Sequence, residues 1–307
     1  MFSRRNVLLL AGLSIAAAGP AVAQDKAPEK VKVVATFSIL ADFVRNVGGD
    51  RVEVSSLVGP DGDAHVFSPT PADARTVGAA KVVFVNGLGF EGWMTRLVRA
   101  SGTKAPTVVV TKGVKTRKMD GKQAGHSHGH SHGATDPHAW QSIANAKIYV
   151  TNIRDGLSKA DPAGKEVYAS NASAYIARLD ALEREVREAV AKIPADRRRI
   201  VTTHDSFGYF GDAYGIEFVS PGISTESAPS AKEIAGLIAR IKKQKIPAVF
   251  LENITDPRLM QQIAKETGAR IGGSLYSDAL SEPTGSAGTY IDMMRSNIRE
   301  LSLALTS

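Results

Sequence analysis

The chain contains no cysteine, so neither disulfides nor thiolate metal ligands can stabilise it, even in an oxidising compartment. Aromatic residues make up only 6% of it, and no dense basic stripe lies beside them. A nucleic-acid surface is therefore not indicated. No "HExxH" helix and no serine-nucleophile motif occurs, which removes two common hydrolase signatures. The longest apolar run, Val7 to Ala18, is too short to cross a hydrocarbon core of about 30 Å.

That run belongs to the opening segment "MFSRRNVLLLAGLSIAAAGPAVAQ". Arg4 and Arg5 precede it, and Ala21-Val22-Ala23 follows as a small-x-small cleavage site. Residues 1–23 read as a secretory signal peptide. The arginine pair also fits a twin-arginine leader, and both export routes stay open. With no cysteine after the cleavage site, the expectation is a soluble periplasmic protein without a lipid anchor. Of 307 residues, 43% are hydrophobic, enough for one large domain or two lobes.

Short apolar runs alternate with helical patterns. Val31–Thr36, Val52–Val58, Lys81–Asn86 and Thr107–Thr111 read as buried strands. Ser38–Val47, Pro71–Ala80, Glu91–Ser101 and Ser142–Lys159 read as helices. The pattern restarts beyond residue 195. Strands are expected at Ile200–His204, Ile216–Ser220, Ala248–Glu252 and Arg270–Tyr276, with helices near 207–214, 230–244, 256–267 and 287–305. Such alternation predicts an α/β fold with mainly parallel sheets flanked by helices. Between the halves, residues 162–194 run from Pro162 to Pro194. They carry an apolar seam of Tyr175, Leu179, Leu182, Val186 and Val190. One linker helix of about 30 residues is expected; a break near Asn171 is the alternative. The organisation is then an N-terminal lobe over 24–161, the linker over 162–194 and a C-terminal lobe over 195–307.

Seven histidines are present. His126, His128, His130 and His132 crowd into "GHSHGHSHG", within a polar, aromatic-free stretch from about Arg117 to Gly133. That composition predicts a flexible loop (117–133) offering weak accessory metal sites rather than a pre-organised one. An inert solubilising insert or a tag is the alternative. His65, His138 and His204 each stand where a strand or turn hands over to the next element. Sites in open parallel sheets lie beyond the carboxyl ends of strands, so a shared site would lie between the lobes. Imidazole suits zinc, copper, iron and nickel. Zinc wants a fourth ligand; Asp278 in "LYSDALSEP" is the better candidate and Asp205 the rival. Asp205 reads otherwise as a helix cap or an orienting partner, and Asp136 before proline as a turn former. Each of these residues also has a plain reading as a surface, core or turn residue, and their wide spacing alone does not decide.

Five stretches together do: "DAHVFSPTPAD", "DPHAW", "TTHDSFGYF", "GISTESAPSAKEI" and "YSDALSEP…GTYIDMMRSNI". Through them nearly the whole mature chain resembles the periplasmic zinc and manganese solute-binding proteins of ABC transporters, the group with a rigid helical linker. The resemblance implies two α/β lobes joined by one long helix, with His65, His138, His204 and Asp278 as ligands in the cleft. It implies capture of Zn2+ as transported cargo, delivery to a membrane permease, and no enzymatic activity. Manganese-type members usually carry Glu at the third ligand position, where this chain has His204. Zinc-type members commonly have a histidine-rich insert before the second ligand. Ala64 stands where some zinc members have an acid, and Ala228 where many have Glu. The disulfide common in the second lobe cannot form. Further expectations are a monomer, local loop rearrangement on binding, and a role for a periplasmic zinc chaperone as donor. The alternatives carried are a manganese or iron carrier and a zinc-dependent hydrolase.

Overall fold

The computed structural model describes residues 29–119, 135–219, 225 and 228–306. The expected signal peptide and His126, His128, His130 and His132 lie outside the described residues.

The first lobe opens with β1 (Val31–Phe37), α1 (Ser38–Gly48), β2 (Val52–Val58), α2 (Pro71–Ala79), β3 (Val82–Val85), α3 (Met94–Ser101), β4 (Thr107–Val109) and α4 (Ile143–Ala160). Runs such as "VKVVATF" and "VVFV" suit a sheet covered on both faces. Helix starts follow local chemistry. Thr70 and Asp73 form a reciprocal capping box at α2, with Pro71 in its first turn, and Ser230 and Glu233 repeat that box further on.

A 3-10 turn, Pro162–Gly164, leads into α5 (Lys165–Ala191). Its 27 residues span about 40 Å. Tyr175, Leu179, Leu182, Val186 and Val190 are all buried. No break occurs at Asn171, whose amide donates to the Val47 carbonyl.

The second lobe comprises β5 (Arg199–Val201), α6 (Gly208–Tyr214), β6 (Glu217–Phe218), α7 (Ala231–Gln244), β7 (Ala248–Glu252), α8 (Arg258–Thr267), β8 (Arg270–Leu275) and α9 (Tyr290–Thr306). The two sheets are parallel, with order β2-β1-β3-β4 and β6-β5-β7-β8. In each, the order reverses between the two central strands, which opens a crevice at their carboxyl ends.

One hydrophobic core runs through the first lobe, α5, α9 and one face of the second sheet, where it takes in Ile200, Ala248 and Phe250. Alternation along the strands sends Val201 and Val249 to the other face. There they form a smaller core with Leu237, Ile241, Met260 and Ile263 of α7 and α8. Among the described residues no helix is long and apolar enough to cross a membrane.

Candidate metal centre

His65 lies in the irregular segment between β2 and α2, and His138 between β4 and α4. His204 lies past β5, and Asp278 past β8. β5 ends at Val201 rather than at His204, so the imidazole is carried by a buried bend three residues beyond the observed strand end.

These four residues converge. One donor atom from each lies within 4.8 Å of the other three. His65 Nε2 is 3.2 Å from both His138 Nε2 and Asp278 Oδ2. His204 Nε2 is 3.1 Å from Asp278 Oδ2, and His138 Nε2 is 3.7 Å from it. A tetrahedron whose donors sit about 2.0–2.1 Å from its centre has edges of about 3.3 Å, so the spacing matches the needs of a bound cation. His138, His204 and Asp278 are buried, and the His65 side chain is 15% exposed. Asp205 is not part of the group. Nor does it cap α6, whose N-cap is Phe207 with no side-chain hydrogen bond.

Two of the imidazoles are oriented by carboxylates. Asp136 Oδ1 accepts from the His138 backbone N–H and lies 2.8 Å from its Nδ1. Asp136 is therefore more than a turn former. Glu252 Oε1 accepts from the His204 N–H, and its Oε2 lies 2.7 Å from His204 Nδ1, an ion-pair contact outside hydrogen-bond geometry. A proton on each Nδ1 leaves the Nε2 lone pair for a metal. Glu252 takes the orienting role considered for Asp205. Its sequence signal was an acid closing the buried run "AVFLE", at the carboxyl end of a central strand.

Arg117 departs from the expected flexible stretch. Its guanidinium donates to Asp136 Oδ2 at 2.8 Å and to Asp212 Oδ2 at 2.9 Å. Its backbone N–H donates to the Tyr209 hydroxyl, and its carbonyl accepts from the Asp136 N–H. It thus ties α6 to the His138 segment. Gly208 makes this possible, since a Cβ there would meet Arg117 Nη1 at 1.7 Å.

Burial alone would lower the His204 pKa and raise that of Asp278. The Glu252 and Asp278 carboxylates outweigh burial and hold His204 well above the usual imidazole value. The His138 and His204 rings likewise hold Asp278 well below the usual carboxylate value. Asp136, also buried, is lowered by His138 and Arg117. Protons therefore compete for the position a cation would take.

Two indoles pin the ligand loops. Trp93 Nε1 donates to the carbonyl of Ala64, next to His65, and Trp140 Nε1 to that of Ser277, next to Asp278. Ala64 itself is fully buried, and Ala228 is exposed and outside the ligand group.

Residues 33–304 match the family described as the periplasmic zinc-uptake complex component A. The iron-binding protein YfeA of Yersinia pestis is 35% identical over 273 residues, covering 88% of this chain and 85% of its own. The manganese-binding lipoprotein MntA of Halalkalibacterium halodurans is 34% identical, covering 88% and 87%. Among solved structures, the periplasmic zinc-binding protein TroA of Treponema pallidum superposes with a TM-score of 0.83 at 30% identity, over 91% of this chain and 100% of that one.

Proposed function

Because the chain belongs to the family of periplasmic zinc-uptake complex components, which are solute-binding subunits of ABC transporters and not enzymes, we propose that it captures Zn2+ in the periplasm and delivers it to a membrane permease. The observation that carries this reading is the convergence of three imidazole nitrogens and one carboxylate oxygen within 4.8 Å. Four protein donors fill a tetrahedral zinc shell and leave no position for a reactive water. Three nitrogen donors favour zinc over manganese, which prefers oxygen. The histidines of "GHSHGHSHG" add weak accessory sites, so deleting Gly125–Gly133 leaves one tight site. The protein acts as a monomer, and a periplasmic zinc chaperone is a candidate donor.

A second reading, a manganese or iron carrier, has its own support. Asp278 Oδ1 is buried without a hydrogen-bond partner. Bidentate use of that carboxylate would give five donors, more than tetrahedral zinc requires. Relatives named for manganese and iron point the same way.

The deciding experiment is the metal content of the protein isolated from periplasm, paired with growth of a deletion strain under separate zinc and manganese limitation. In-vitro preference is not enough, because zinc outranks manganese at most sites. One zinc per chain and a zinc-specific growth defect are expected. Stoichiometric manganese or iron with a matching defect would replace zinc as the cargo.

A further inference from the structure

By chain position Asp278 belongs to the second lobe, since it follows β8. Its hydrogen-bonded surroundings say otherwise. The Ser277 carbonyl accepts from Trp140 Nε1 at 2.9 Å and from Gln141 Nε2 at 2.7 Å, both first-lobe side chains. The Leu280 N–H donates to Ser38 Oγ of α1, and the Leu280 carbonyl accepts from the Asp61 N–H. First-lobe groups thus hold the chain on both sides of the ligand. α9, which follows, is held there too. The Tyr290 N–H donates to Asp42 Oδ2, and the Tyr290 hydroxyl to the Trp140 carbonyl. On the second-lobe side Asn253 Nδ2 donates to the Ala279 carbonyl at 3.3 Å, and the Asn297 amide of α9 holds both the N–H and the carbonyl of Tyr276 at 2.8 Å, on the helix that Tyr290 ties to the first lobe. His204 differs: its backbone N–H is taken by Glu252 on β7, in its own sheet.

Resting on the metal-site reading above, we propose that Trp140 and Gln141 are positioning residues for Asp278. The ligands then divide three and one: His65, His138 and Asp278 are fixed by the first lobe, and His204 is the ligand carried by the second sheet. A carbonyl that accepts two buried donors has little freedom to rotate. The carboxylate one residue later is therefore aimed before the metal arrives, which lowers the ordering cost of binding. The Trp140 ring also packs on Phe37, Phe90 and His138, with centroids 5.0, 4.9 and 5.4 Å away. Replacing the indole by a phenyl ring removes the donor and keeps most of this packing.

The test is a mutant cycle read as Zn2+ affinity, by competition against a chromogenic chelator. Its corners are the parent chain, Trp140→Phe with Gln141→Leu, Asp278→Ala, and all three changes together. The paired change weakens binding about tenfold in the parent, for the loss of two neutral hydrogen bonds, and adds nothing once Asp278 is gone. Equal losses on both backgrounds, or no loss in the parent, overturn the proposal. Should the paired variant fail to fold, Gln141→Leu alone runs the same cycle with a loss of about threefold, and the same two outcomes decide. A parent chain with no tight site would instead defeat the function proposed above, so the two failures are told apart.

Discussion

The two sheets share one strand order, and each brings a buried carboxylate to the point where that order reverses, yet the carboxylates are used differently. At the first sheet, Glu91 accepts from Thr36 Oγ1 at the end of β1 and from the backbone N–H groups of Asn86 and Gly87 past β3. Its capacity goes into joining the two strand ends. At the second sheet, Glu252 closes β7 and faces the His204 imidazole. The first lobe takes its metal donors instead from segments after its outer strands β2 and β4, and braces them with Trp93, Trp140 and Asp136. Equivalent crevices can therefore carry different duties. The rule that ligands gather at strand carboxyl ends locates the cleft but not the residues that make it tight.

The comparison is broken most severely by removing the ligand the second sheet carries. His204→Ala should reduce zinc affinity by more than about 100-fold, the upper end of what losing an orienting partner alone costs. Chelator competition measures it, with metal analysis of the purified variant as a check. Retention of affinity within a few-fold would mean that the first lobe's three donors suffice.

Acid should act on the same residue. Against burial, Glu252 and Asp278 hold His204 above its usual value, so cation binding should displace a proton at pH values above the ordinary imidazole range. Affinity then falls about tenfold per pH unit for each proton displaced, or about 100-fold per proton between pH 7.5 and 5.5. The apo fold responds in the opposite sense. The charged His204 contributes stability that is complete below an ordinary imidazole pKa and is lost as pH rises through the raised value. Calorimetry of zinc binding in buffers of different ionisation enthalpy counts the protons. No proton release at pH 7 would contradict the charged apo site.

Much of this was open to a reader of the chain alone. The strands follow apolar runs such as "VKVVATF" and "AVFLE", and their alternation with helices leaves little topological choice. His65, His138, His204 and Asp278 each follow a strand, which made them candidates, but with Asp205 as a rival it was the family resemblance of the stretches around them that singled out these four. What escaped was what holds them. Glu252 reads as the last residue of a strand because its partner is 48 positions away. Trp140 and Ser277 are 137 apart, and an indole donating to a carbonyl leaves no pattern in composition or periodicity. Arg117 was hidden by its neighbours. It opens a polar stretch, and only the pairing of Asp136 and Asp212 around it gives it a fixed place.

The orienting carboxylates sharpen the contrast further. Glu252→Gln should weaken zinc binding about 10- to 100-fold, and Asp136→Asn by less. Asp136 already shares its charge with Arg117 through a 2.8 Å contact, whereas Glu252 is directed at His204 by both its oxygens. Titrating both variants side by side gives the order. Equal losses would mean that Arg117 does not moderate Asp136.

Glu91→Gln tests the other half of the contrast and should have the smallest effect on the metal. Burial pushes the Glu91 carboxyl above its usual value, partly opposed by Thr36 and the Asn86 and Gly87 amides. Ionised Glu91 is thus a cost to the fold that grows as pH rises from the unfolded value through the raised one. The amide removes that cost but turns one acceptor into a donor facing N–H groups, a mismatch worth about 1–3 kcal/mol. Relative to the parent, thermal unfolding should therefore shift downward most in acid, where the parent carries its proton and bears no such cost, and least near neutral pH. Zinc affinity should stay within about threefold of the parent, because Glu91 touches strand ends and no ligand. If affinity fell as far as in Glu252→Gln, the two crevices would be doing the same work, and the division between a bracing carboxylate and a metal-orienting one would be lost.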